Sequence, residues 1–134
     1  MQIRGIIETA IYVRDLDETE EFYSTVLSLP VITKQPGRHV FFQVGTSTVL
    51  LAFLADTTSR DERTPHGTKG AGHFALGIET AALEASRQKL SESGVMIEDQ
   101  VTWPRGGRSI YFRDPSGNSV ELITRGVWGL PSGW

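Results

Sequence analysis

The chain of 134 residues contains no cysteine, so disulfides, thiolate metal sites and a cysteine nucleophile are all excluded. It also lacks any apolar run approaching the ~20 residues that a membrane-crossing helix needs. Nothing near its start reads as a basic stretch followed by an apolar one. A basic block is missing too: 13 Lys and Arg against 16 Asp and Glu leave a net charge of −3, which argues against a nucleic-acid surface. What remains is ordinary. Hydrophobic content of 39% and charged content of 22% describe a chain that folds, and its length suits one domain with a single core. The expectation is a cytoplasmic protein that binds a small molecule, with neither nucleic acid nor membrane as partner.

The first half reads as strand, helix and three strands. Residues 5–13 alternate, placing Glu8, Ala10 and Tyr12 on one face and Ile7, Thr9, Ile11 and Val13 on the other. Asp15 offers a carboxylate cap and Asp17 and Glu18 follow in the first turn, where the helix dipole favours them. The helix is expected over 16–27, burying Leu16, Phe22, Tyr23, Val26 and Leu27. Strands follow at 31–34, 38–44 and 49–54, the last two as a hairpin. Residues 56–72 are polar, with Pro65 and His66 near the middle, and read as a linker or an active-site loop. His66 reads as a solvent-exposed loop histidine, with closure over a site as the alternative.

The second half repeats the order: a strand at 73–78, a helix at 81–93 capped by Thr80 and closed by Gly94, and strands at 95–97, 108–113 and 118–124. Asp114 to Gly117 is a turn by composition, and the tail 126–134 carries Trp128 and Trp134. Laid over the first half, His73 falls on Glu8, Ala75 on Ala10, Leu76 on Ile11 and Ile78 on Val13. The run RHVFFQ from Arg38 matches RSIYFR from Arg108. The reading is α+β: two tandem β-α-β-β-β modules, 5–55 and 73–125, within one domain spanning 1–134. Each module is a curved sheet with a helix on its outer face, and the pair forms a cup.

Alternation then nominates the inward residues: Glu8, Ala10 and Tyr12 from the first strand, His73, Ala75 and Gly77 from its repeat, Glu121 and Ile123 from the last. A carboxylate within SVELI is costly to bury unless it is paired, protonated or metal-bound. Glu8, His73 and Glu121 together suit a divalent ion such as Mn, Fe, Co, Ni or Zn. Other roles stay open for each: a salt-bridged core acid for Glu121, a backbone hydrogen bond for His73, and a general base or solvated acid for Glu8. Ser109 and Tyr111 share the Glu121 face, and His39 and Phe41 are their counterparts in the first half, so all four line the cup as candidate substrate contacts. Arg105 and Arg108 flank a Gly-Gly loop and are candidates for an anionic substrate group. Trp103, Trp128 and Trp134 either stack on a flat substrate or cover a dimer contact.

The runs AIYVRDL from Ala10, GHFA from Gly72 and YFRDPSGNSVEL from Tyr111, with the Phe22–Tyr23 pair, resemble the vicinal oxygen chelate superfamily. That is the glyoxalase, bleomycin-resistance protein and extradiol dioxygenase group, and the similarity spans residues 5–124. The resemblance implies a homodimer and a divalent metal at positions matching Glu8, His73 and Glu121. A fourth family position falls near Leu50 or Leu51. Tyr111 matches a position that contacts substrate in fosfomycin-resistance relatives; it and Glu8, as general base, are the catalytic candidates. The activity implied is a metal-dependent lyase, isomerase or epoxide-opening transferase that chelates neighbouring oxygens of a small substrate and stabilises an oxyanion or enolate. Leu51 counts against a four-ligand isomerase, and Glu8 breaks the two-histidine, one-carboxylate set of a ring-cleaving dioxygenase. That dioxygenase remains a second alternative; a metal-free drug- or metabolite-binding protein is the first.

Overall fold

A computed structural model describes residues 2, 6–60, 66–68, 70–130 and 132–133. Gly5, Pro65 and Trp134 lie outside the described residues. The chain divides into two compact units, Met1–Gly72 and His73–Trp134. Among the described residues no helix is long and apolar enough to cross a membrane.

The first unit runs β1 (Glu8–Val13), α1 (Leu16–Glu21), β2 (Val31–Gln35), β3 (His39–Val44), β4 (Thr48–Leu54) and a short α2 (Ala55–Thr58). The second runs β5 (His73–Gly77), a 3₁₀ turn at Thr80–Ala82, α3 (Leu83–Glu92), β6 (Ile97–Thr102), β7 (Arg108–Arg113) and β8 (Ser119–Ile123). Each unit holds one four-stranded sheet, in the orders β1-β4-β3-β2 and β5-β8-β7-β6. The first and last strands of each unit pair in parallel, and the other pairs are antiparallel. The duplication extends to a defect in the ladder. The register shifts between Val31 and Thr33 in one unit and between Ile97 and Asp99 in the other, so the same irregularity bends the same edge strand twice.

Period-two alternation sorts the side chains as the sequence implies. In the first unit Ile11, Val13, Val40, Phe42, Leu50 and Ala52 are buried, together with Leu16, Phe22 and Tyr23 from the helical segment. In the second, Ile110, Phe112, Val120 and Leu122 are buried along with Leu83 and Leu90, which are seven apart on one face of α3. Each Val, Leu, Ile or Phe among them contributes about 1.5–3 kcal/mol by leaving water.

Several local expectations are corrected. The Asp15 carboxylate does cap α1, accepting from the Asp17 and Glu18 amides at 2.8 and 3.0 Å, but α1 ends at Glu21 and continues as a π turn over Phe22–Val26. The wider turn puts two consecutive aromatic rings into the core, Phe22 edge-on to Tyr23 at 5.2 Å and Tyr23 against Phe42 at 5.2 Å. Val26 and Leu27 are only half-buried, while Thr19, absent from the expected stripe, is fully buried. Thr80 does not cap α3: the helix is entered through the 3₁₀ turn, and no side chain caps either segment. The strand expected at 95–97 begins at Ile97 and runs to Thr102. Gly94, at φ 72°, closes α3 as expected.

Candidate metal centre and substrate face

In the second unit the register sets three rows across the sheet: His73–Ser119–Arg113, Ala75–Glu121–Tyr111 and Gly77–Ile123–Ser109. Glu121 therefore lies between a small residue and a tyrosine, one row from His73. The residue is 4% exposed, and its Oε1 has no hydrogen-bond partner. A buried carboxylate oxygen left this way carries a desolvation cost of about 1–3 kcal/mol or more. The other oxygen, Oε2, stands 3.4 Å from His73 Nε2.

The opposite side of the His73 ring faces Ser119, with Nδ1 at 3.3 Å from both its carbonyl oxygen and its hydroxyl. A proton on Nδ1 donated to that carbonyl leaves the Nε2 lone pair facing Glu121, the tautomer a metal-binding histidine uses. The separation also fits: donors about 2.1 Å from one ion stand about 3.0 Å apart at a right angle and about 3.4 Å at a tetrahedral one. The pair thus suits a divalent ion on chemistry, tautomer and distance. Among the described residues neither unit gathers three His, Cys, Asp or Glu side chains, so His73 and Glu121 stand as a pair within theirs.

Tyr111 completes this face. Its ring stacks on His73 with centroids 6.2 Å apart and planes 29° from parallel. Burial holds its hydroxyl pKa above the ordinary value, and the adjoining Glu121 carboxylate adds to this, while Ser109 opposes it. Tyr111 is therefore a neutral hydrogen-bond donor at any pH below that range. Ser109 is buried and accepts the indole N–H of Trp103 at 2.8 Å. That role for Trp103 was not foreseen from sequence, although both residues close the same hairpin.

The arginines fall elsewhere. Arg108 stands with Ile110 and Phe112 on the helix side of β7 and points Nη1 at Glu84 of α3, 3.7 Å away. The structure does not bring it to the Tyr111 face, because a strand residue an odd number of positions from Tyr111, here three, must face the other way. Arg105 donates to the Trp128 carbonyl at 2.9 Å and ties the loop to the tail. Neither belongs to the centre proposed below.

The first unit repeats the three rows as Glu8–Val49–Gln43, Ala10–Leu51–Phe41 and Tyr12–Phe53–His39. Glu8 is thus the register mate of His73, and Leu51 that of Glu121. Glu8 is exposed. His39 is buried and stacks on Phe41 at 4.0 Å; burial, helped by the Arg38 charge, holds its pKa below the ordinary value. His66 is not the solvent-exposed loop residue expected. It is half-buried, 2.7 Å by Nδ1 from the Tyr12 hydroxyl and edge-on to Phe53 at 4.7 Å.

The family model of the glyoxalase/bleomycin resistance protein/dioxygenase superfamily matches residues 5–122. The chain belongs to that superfamily. The crystal structure of a lactoylglutathione lyase from Agrobacterium tumefaciens matches this superfamily member with a TM-score of 0.91 at 36% identity, covering 97% of this chain and all (100%) of that one. The metallothiol transferase FosB of Shouchella clausii (strain KSM-K16) is 28% identical over 127 residues, 91% of this chain and 81% of the relative. A superfamily protein from Nocardioides shares the fold, with a TM-score of 0.73 at 20% identity, covering 100% of this chain and 91% of that one.

Proposed function

We propose that this superfamily member is a metal-dependent enzyme acting on a small, oxygen-rich substrate, with His73, Glu121 and Glu8 as the ligands. The observation that carries the reading is Glu121: a buried carboxylate with one oxygen unpartnered and the other beside an imidazole nitrogen. A divalent ion held there would supply Lewis acidity to two neighbouring substrate oxygens, favouring the negative charge that develops on them. Tyr111, kept neutral, donates a hydrogen bond to the substrate or its leaving group from the same face. Leu51, at the position equivalent to Glu121, leaves three protein ligands.

Lyase or transferase chemistry is favoured over ring cleavage. The lactoylglutathione lyase and the metallothiol transferase similar to this chain carry those activities in their names, and two acids with one histidine depart from the two-histidine set. A homodimer is part of the same proposal. A metal-free binding protein is the second reading, favoured by the aromatic face of the first unit. Metal analysis of protein purified without chelator separates the two. The enzyme reading expects a first-row metal, or a raised melting temperature on adding Mn, Fe, Co, Ni or Zn; neither metal nor shift overturns it.

A further inference from the structure

The hairpin between β6 and β7 is where the two units differ. In the first unit the last pair is Gln35 with His39, and the chain turns through residues 36–38. In the second the matching pair is Val101 with Ser109, but the ladder runs one pair further, Thr102 with Arg108, and turns over Trp103 to Gly107. Trp103 therefore has no counterpart in the first unit. The turn is pinned in place. The Trp103 amide donates to the Gly107 carbonyl at 2.8 Å, the Gly106 amide to the Trp103 carbonyl at 2.9 Å, and Arg105 to the Trp128 carbonyl at 2.9 Å. From this turn the indole Nε1 donates to Ser109 Oγ at 2.8 Å.

That bond runs one way. An indole N–H only donates, whereas a serine hydroxyl both accepts and donates. Ser109 is 1% exposed, so its own hydrogen has no water to meet and needs an acceptor within the protein. Among the described residues the other polar group that its side chain meets is the Tyr111 hydroxyl, two residues along the same face of β7. With the Ser109 hydrogen on the Tyr111 oxygen, the Tyr111 O–H is left to turn to Glu121, its register partner on β8. Burial and Glu121 hold the Tyr111 pKa up while Ser109 pulls it down, the sign expected of a hydrogen donated to the phenol oxygen. The first unit has no such chain: His39 and Phe41 stand where Ser109 and Tyr111 do, and His39 Nδ1 has no partner.

We propose that Trp103 and Ser109 are positioning residues for Tyr111: the donor-only indole sets the Ser109 hydroxyl, which holds the Tyr111 O–H towards the Glu121 face. A phenol O–H free to swing within its ring plane meets a substrate in the right orientation only part of the time. One already aimed costs no reorganisation at the moment of reaction. This role rests on the metal reading for where the substrate sits, beside Glu121, while the hydrogen-bond chain itself needs no ion.

Tyrosine carbon-labelled at Cζ, beside the hydroxyl, gives one NMR signal for each of the three tyrosines, and the signal lost in Tyr111→Phe is that of Tyr111. In metal-free protein Trp103→Phe, which keeps a ring but drops the N–H, is expected to move the Tyr111 signal and leave those of Tyr12 and Tyr23 in place. In a Ser109→Ala background the same change is expected to move nothing further, because the chain is already cut. A Tyr111 signal that ignores Trp103→Phe overturns the proposal. So does one that moves as far in Ser109→Ala as in wild type, which is what packing by the ring alone would give. If either variant fails to fold, Tyr111→Phe, which removes a single oxygen, reads the chain from its other end: the Trp103 indole N–H signal should shift, and an unmoved signal overturns the proposal. Zinc titrated into wild type and followed at His73 tests the metal reading separately, so either can fail while the other stands.

Discussion

Replacing Glu121 with leucine gives the second unit the residue that the first unit already carries at Leu51, between Ala10 and Phe41. Without metal, the wild-type carboxylate is buried with Oε1 unpartnered. Exchanging a buried charge for an apolar side chain of similar volume is neutral or stabilising by about 1–4 kcal/mol. The partner left behind, His73, is 53% exposed, so the change strands no buried charge. At about 3–4 °C per kcal/mol for a chain of this size, Glu121→Leu should melt at or above wild type by up to roughly 12–16 °C in chelator. With a divalent ion at 100 times its dissociation constant, wild type gains about 2.7 kcal/mol, roughly 8–10 °C, and the variant gains nothing. The gap between the two melting curves therefore moves towards wild type by about 2.7 kcal/mol when metal is added, and the order reverses if the variant's metal-free advantage is smaller than that. Melting followed by circular dichroism, with chelator and with each of Mn, Ni and Zn, reads this directly. A metal-free variant weakened by about 3 kcal/mol would mean that Glu121 serves in a structural ion pair with a protonated His73. An equal metal response in both proteins refutes the reasoning outright.

Other predictions concern the scaffold and the first unit. The unfolded His39 imidazole takes up its proton at a higher pH than the folded one, so between the two pKa values the unfolded state holds more protons and stability rises with pH. This contribution is complete above about 6.5 and is lost as pH falls; His39→Phe should flatten the fall in melting temperature between neutral and mildly acidic buffer, and an unchanged slope contradicts the assignment. The buried Asp114 accepts from the Ser116 and Asn118 amides at 3.0 and 2.8 Å and from Asn118 Nδ2 at 2.8 Å, so Asp114→Ala should cost about 2–4 kcal/mol in urea unfolding. A Cβ added at Gly107 would stand 2.9 Å from both the Arg125 carbonyl oxygen and the Val127 nitrogen, and backbone cannot give way as a side-chain tip can. Gly107→Ala should cost more than Gly37→Ala, where nothing lies within 4 Å and only φ +73° is at stake, at about 1 kcal/mol.

Much of this was legible because strands have a period of two and the chain states its pattern twice. Alternation alone put Glu8, His73 and Glu121 on the faces they occupy, and the repeat named Leu51 as the mate of Glu121. Arg108 shows the cost of setting the same rule aside: flanking the Gly-Gly loop, it is a candidate for an anionic substrate group, but as the first residue of β7 it faces the helix and Glu84. The π turn at Phe22–Val26 was not legible, since the helical pattern before it gives no sign of the extra residue; it became visible only with Tyr23 packed on Phe42. His66 was missed for a different reason. Its partner, Tyr12, is 54 residues away, and no local pattern encodes a contact of that span. The unpartnered oxygen of Glu121 and the bond from Trp103 to Ser109 are likewise three-dimensional facts, and they carry the two proposals.

The central claim is that one divalent ion is held jointly by His73, Glu121 and Glu8. Calorimetric titration of metal-free protein with zinc tests it most directly, comparing wild type with Glu8→Ala, His73→Ala and Glu121→Ala. One ion per chain in wild type, with each substitution weakening binding by about tenfold or more, is the expected result. A wild type that takes up no ion, or a Glu8→Ala variant that binds as tightly as wild type, would contradict the three-ligand centre.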